Sequence, residues 1–166
     1  MVFWALLCAL PSGLQPATLA QESNATCQPR FAWADNSLGQ SPCIVAPYLE
    51  SQCFTNGLCR LNPQAGQYYE APSGAYANPC ECNTVAYSLV SACGACQGAI
   101  YLTWPARTVN CNATADSQFS GLPQAPPLGT AAPPWAFLGL GIDDTWNGEA
   151  SYINATASQS DLPLGT

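Results

Sequence analysis

The chain of 166 residues carries three Arg, no Lys, no His and ten acidic residues, for a net charge of −7. The basic footprint that nucleic acid demands is absent, and anionic membranes and acidic glycans are poor partners for the same reason. Composition also removes Ser–His and Cys–His catalysis, which need an imidazole, and Schiff-base chemistry, which needs a lysine.

Residues 1–20, MVFWALLCALPSGLQPATLA, hold an apolar run from Val2 to Leu10, then Pro and Gly, then Thr18-Leu19-Ala20 as a small-residue cleavage signal. This is the pattern of a signal peptide, although Met1 supplies its only positive charge. The run is much shorter than the roughly 20 residues needed to cross a bilayer. The chain beyond Ala20 is long enough for one domain. Cleavage removes Cys8 and leaves Cys27, Cys43, Cys53, Cys59, Cys80, Cys82, Cys93, Cys96 and Cys111. In an oxidising compartment these imply up to four disulfides and one thiol left over, with Cys27 and Cys59 the candidates for that thiol. Each bridge stabilises a fold by about 2–4 kcal/mol, against roughly 5–15 kcal/mol for a whole domain.

Three sequons, at Asn24, Asn112 and Asn154, fit N-glycosylation on a secretory route. With so few charges, solubility rests on Asn, Gln, Ser, Thr and attached glycan.

Residues 21–40 read as a polar, irregular N-terminal arm bearing Phe31 and Trp33, which Cys27 can tie down. The cysteine-rich domain, 41–121, begins at Ser41-Pro42, a favourable N-cap followed by a proline suited to the first helical position. A helix running to about Cys53 is expected, with Ala46, Leu49 and Cys53 at helical spacing. Pro47 should kink that helix or make it start later. Residues 54–79 contain Asn56-Gly57, Asn62-Pro63, Gly66, Pro72, Gly74 and Pro79, the turn chemistry of a long stapled loop around Cys59 and Tyr68-Tyr69.

A second helix is predicted from an Asn83 or Thr84 cap, with Val85, Leu89, Ala92 and Cys96 on one face and Gly98 as C-cap. At about 100° per residue Cys82 and Cys93 fall nearly on one face, and Cys93 and Cys96 stack at i, i+3. One helix edge should therefore present several sulfurs. Residues 99–104, Ala-Ile-Tyr-Leu-Thr-Trp, suit a short strand ended by Pro105. Five prolines within 122–134 predict an extended segment. In 135–153, Trp135, Phe137, Leu138, Leu140, Ile142 and Trp146 supply apolar surface to dock on the domain, and a polar tail occupies 154–166. The expected fold is small, disulfide-rich and mixed α with short β: two Cys-bearing helices and long stapled loops, with connectivity open.

The stretch Asn78-Pro-Cys80-Glu-Cys82-Asn-Thr-Val-Ala-Tyr-Ser-Leu-Val-Ser-Ala-Cys93-Gly-Ala-Cys96-Gln97, with Trp104 and Asn110-Cys111, resembles a family of cysteine-rich ectodomains of mushroom-forming basidiomycete fungi. Ser41-Pro-Cys43, Tyr48-Leu49, Cys53 and Pro134-Trp135-Ala136 extend the resemblance over about residues 37–146. It implies a surface module, because many members continue into a membrane helix; membrane attachment is expected here only if the chain continues past Thr166. The family brings no known reaction. Cys80, Cys82, Cys93, Cys96 and Cys111 are more loosely similar to the CFEM domain, some of whose members bind haem through an Asp shortly before Cys-x-Cys. Here that place holds Ala77, Asn78 and Pro79, and His is lacking too, so haem loses its usual ligands.

Cys93-Gly-Ala-Cys96 has redox-motif spacing, but it falls near a helix C-terminus without positive charge, which favours structural bridges over thiol exchange or zinc. Asp143-Asp144 with Glu149 can be a solvated turn or weak cation site, or an acid and a nucleophile of a glycosidase type. Trp33, Trp104, Trp135, Trp146 and seven Tyr can fill a small core or stack on sugar rings. No catalytic residue, metal or cofactor is assigned. The expected role is a non-enzymatic secreted or surface module that contacts cell-wall glycan or another surface protein, or serves in sensing; the alternative is a secreted hydrolase working through carboxylates.

Overall fold

The computed structural model describes Ser23 and residues 25–53, 67–111 and 125–157. The signal segment, Asn24, residues 54–66 of the stapled loop with Cys59, residues 112–124 with Asn112, and the end of the tail lie outside the described residues.

Helix α2 (Thr84–Cys96) is the axis of the fold. Asn83 caps it: Oδ1 accepts from Ala86 N at 2.8 Å, while Nδ2 donates to the carbonyls of Pro79 at 2.8 Å and Cys80 at 3.0 Å. One buried amide thus starts the helix and closes the Cys-x-Cys turn before it. At the other end Gly98 adopts φ +81°, Gly98 N donates to Ala95 O at 3.0 Å and Ala99 N to Gly94 O at 2.9 Å. That pair of bonds is a Schellman cap, which favours glycine in the left-handed position. Between its caps α2 is buried on every side, and only Ala95 among its non-terminal residues is partly exposed. A helix apolar all round belongs at the centre of a molecule.

Helix α1 (Pro42–Ser51) packs along α2. Its start follows the Ser41-Pro42 signal, with the Ser41 carbonyl taking the amides of Ile44 and Val45 at 2.9 and 3.0 Å. Of the two effects expected of Pro47, the later start does not occur: the helix begins at Pro42, runs through Pro47 and ends at Ser51, two residues before Cys53. Val45 and Leu49, both buried, hold α1 on the core with Val85 and Leu89 of α2.

The expected β contribution is overturned: among the described residues there is no strand. Residues 99–103 have no regular structure and meet a different partner at each bond. Ile100 N donates to Gln67 O at 3.1 Å, and the Leu102 carbonyl accepts from the Tyr87 hydroxyl at 2.7 Å. Without a neighbouring ladder there is no sheet. Pro105 does not end a strand either, but sits in the first turn of helix α3 (Trp104–Arg107), capped by Thr103.

From 125 to 133 the chain is irregular, as its prolines dictate, and Pro134 opens a 3-10 turn, Pro134–Phe137. Trp135 and Ala136 are buried against α2, and Phe137, Leu138 and Leu140 pack partly against the core. Ile142 does not dock; it is fully exposed. Helix α4 (Gly148–Thr156), absent from the expectations, crosses the boundary set between the docking segment and the polar tail. The arm forms another 3-10 turn, Pro29–Ala34, packed against α4 and α2.

Candidate functional site

Among the described residues four disulfides are formed: Cys27–Cys96, Cys43–Cys93, Cys53–Cys80 and Cys82–Cys111. Cys27, a candidate for the odd thiol, is therefore bridged, and the other candidate, Cys59, lies outside the described residues. Cys93 and Cys96 are not bonded to one another: one crosslinks α2 to α1 and the other crosslinks α2 to the arm. Cys82 lies before the Asn83 cap rather than on the helix edge, because the helix begins only at Thr84.

The two α2 bridges lie against each other. Cys43 Sγ is 3.7 Å from Cys96 Sγ and 3.9 Å from Cys27 Sγ. Gln97 Nε2 lies 3.2 Å from Cys93 Sγ and 3.1 Å from the Tyr69 hydroxyl, which is itself 3.1 Å from Cys93 Sγ. Cys27, Cys43 and Cys96 bring three sulfurs close enough to share a metal, but as bridged sulfurs they are not thiolate ligands.

The second constellation is a buried charge cluster that no sequence motif announced. Arg107 Nη2 donates to Glu81 Oε2 at 2.8 Å and lies 4.0 Å from Glu50 Oε1, and Nη1 donates to the Glu70 carbonyl. The three side chains are between 2% and 5% exposed, so one guanidinium serves two carboxylates away from water. It joins the end of α1, the Cys-x-Cys turn and α3. Removing one partner from a pair this deep leaves an uncompensated buried charge. A signal did exist: Glu81 stands between two bridged cysteines, which draw it inward.

The Asp143-Asp144 candidate is an exposed turn. Gly141 N donates to Thr145 O at 2.7 Å and Asp144 takes φ +56°. The Thr145 hydroxyl donates to Asp143 Oδ1 at 2.6 Å and holds the Asp143 carboxyl below the usual carboxylate range. A general acid needs the opposite shift. Glu149 is exposed in the first turn of α4, where a carboxylate suits the helix dipole. Asn154, the described sequon residue, is partly buried inside α4.

Aromatic rings form a continuous band. Trp33 stacks on Trp146 with centroids 6.5 Å apart, meets Trp135 at 6.0 Å and meets Tyr152 edge-on at 5.5 Å. Tyr101 meets the Trp146 ring edge-on at 5.6 Å. Trp135 and Trp146 are core, whereas Tyr101 and Tyr152 are 37% and 50% exposed. Behind Tyr101 lies a cleft of about 10 Å³, room for one water, lined by Tyr69, Tyr87, Ser91 and Arg107 among others. Tyr87 is held in its neutral form, its ionisation pushed up by burial.

The four bridges are the mark of an oxidising compartment, and no helix among the described residues is long and apolar enough to cross a membrane. No family model matches the chain, and neither a curated protein nor a solved structure is similar to it.

Proposed function

We propose that the domain is a non-enzymatic module of a fungal cell's exterior whose aromatic band contacts neutral cell-wall polysaccharide. The observation that carries this reading is that the band opens to solvent at both ends, through Tyr101 and Tyr152, while Trp135 and Trp146 fix it from beneath. Rigid rings held by a core bind sugar faces at little entropic cost. The acidic balance of the chain favours neutral glycans over anionic ones. The resemblance of the cysteine pattern to fungal ectodomains supports the location.

The test is retention of the secreted domain on insoluble wall polysaccharides. Wild type is expected to be retained, Tyr152→Ala and Tyr101→Ala each to weaken retention about tenfold, and Asp143→Asn with Asp144→Asn to leave it unchanged. Failure of the wild type to bind any of them overturns the reading. Turnover of a polysaccharide that the aspartate pair abolishes would establish a hydrolase instead.

A further inference from the structure

Two observations at the junction of arm, α1 and α2 belong together. The first is the contact of two disulfides, with Cys96 Sγ 3.7 Å from Cys43 Sγ. Of the four cysteines only Cys27 is partly exposed; Cys43, Cys93 and Cys96 are buried. A thiol arriving from solvent therefore meets Cys27 first. The second is the pair of donors at the far sulfur. A bridged sulfur has no proton, so the Tyr69 hydroxyl donates to Cys93 Sγ, at 3.1 Å, and Gln97 Nε2 lies 3.2 Å from the same atom. Gln97 is positioned by a 2.9 Å bond to the Cys93 carbonyl. Disulfide sulfur accepts weakly and thiolate accepts strongly, so both donors gain strength once the bond opens.

We propose that these bridges form a thiol–disulfide exchange relay that unties the N-terminal arm from α2 when an external thiol attacks Cys27. The incoming thiolate bonds to Cys27 Sγ, and the Cys27–Cys96 bond breaks with its electron pair on Cys96 Sγ. Cys96 thiolate then bonds to Cys43 Sγ, and the Cys43–Cys93 bond breaks with its pair on Cys93 Sγ, beside Tyr69 and Gln97. The number of disulfide bonds is unchanged, so nothing is oxidised or reduced overall, and the proton of the incoming thiol is shed to water when its thiolate forms. The C-terminal end of α2 disfavours an anion, and the two donors offset this at Cys93. After exchange α1 is still crosslinked to α2, now through Cys96. The arm has lost its covalent tie and is held by Gln28 N donating to Cys96 O at 2.8 Å and by the packing of Phe31 and Trp33.

The experiment exposes the folded, secreted protein to about one equivalent of glutathione at a mildly alkaline pH, traps thiols with iodoacetamide and maps the bridges by mass spectrometry without reduction. Expected are glutathione on Cys27, a new Cys43–Cys96 crosslink, and alkylation of Cys93 in about tenfold excess over Cys96. Alkylation on Cys96 with Cys43–Cys93 intact overturns the relay, as does failure of Cys27 to take up glutathione. Tyr69→Phe with Gln97→Leu, once shown to start from the same bridges, should move the label from Cys93 to Cys96 by about tenfold. An unchanged distribution overturns the role of the donors, and the wild-type map decides the relay whether or not that variant folds.

Discussion

Residues 25–111 and residues 125–157 solve the same problem by different means. The first region carries the four described bridges in addition to the larger share of the apolar core, with Val45, Leu49, Val85, Tyr87 and Leu89 buried among them. The second has no described bridge and stays in place by burying Trp135 and Trp146 against the first. Covalent closure lowers the entropy of the unfolded chain, so in the stapled region the bridges add to what its apolar core already supplies. An unstapled one has to remove large rings from water.

Substitutions that cut each means of closure sharpen the contrast. Trp135→Ala should cost about 3–5 kcal/mol and release residues 125–157 first, seen as a separate transition in urea unfolding with disulfides intact. Trp135→Phe should cost less, since the indole Nε1 is buried without a hydrogen-bond partner. In the stapled region Arg107→Met strands Glu81 and Glu50 and should cost about 3–5 kcal/mol, read from the same denaturation curves. Equal loss from Arg107→Met with Glu81→Gln would show that burial of the carboxylate is not the cause. Opening Cys53–Cys80, which spans 27 residues, by paired Ser substitutions should cost about 3 kcal/mol and leave the fluorescence of the tryptophan cluster unchanged.

The smallest effect belongs to the exposed turn. The Thr145 hydroxyl lowers the folded-state pKa of Asp143, so its contribution is full above the unfolded value near 3.8 and is lost as pH falls through the folded value. Asp143→Asn should slightly lower the thermal midpoint above that acid window, leave it unchanged below, and so flatten its pH dependence within the window. Asp35 works in the opposite sense. Burial raises its folded-state pKa, so its stabilisation is greatest at low pH and falls as pH rises past 3.8 and through the folded value. Asp35→Asn should raise the midpoint near neutrality.

Where several local signals agreed, the fold was legible in the sequence. Asn83, the apolar run behind it and Gly98 define α2 at both ends, and Ser41-Pro42 marks the start of α1. It was not legible where one signal can serve two structures. The β-branched and aromatic run before Pro105 suits a strand, but a Thr followed two residues later by Pro also starts a helix, and no neighbouring strand exists among the described residues to decide for the first. Helix α4 had its cap in Asn147 and its acid in Glu149, but Tyr152 and Ile153 face solvent, so apolar periodicity was missing. Within the candidate sites, bridging of the cysteines could be expected, but their partners could not be read, and Cys27, a candidate for the odd thiol, is bridged to Cys96. The burial of Arg107 could not be read, because nothing in its own neighbourhood shows that Glu81 and Glu50 come from elsewhere to meet it.

Cys80 is tied to Cys53 on one side of Glu81 and Cys82 to Cys111 on the other, so the carboxylate is fenced in by covalent bonds running in two directions. A small local opening cannot carry it into water. The amides around residues 80–82 should exchange with solvent only through openings large enough to move α1 and α3 as well, and their protection should approach that of α2 itself. The escape rate of this buried charge then measures how long the whole folded molecule lasts.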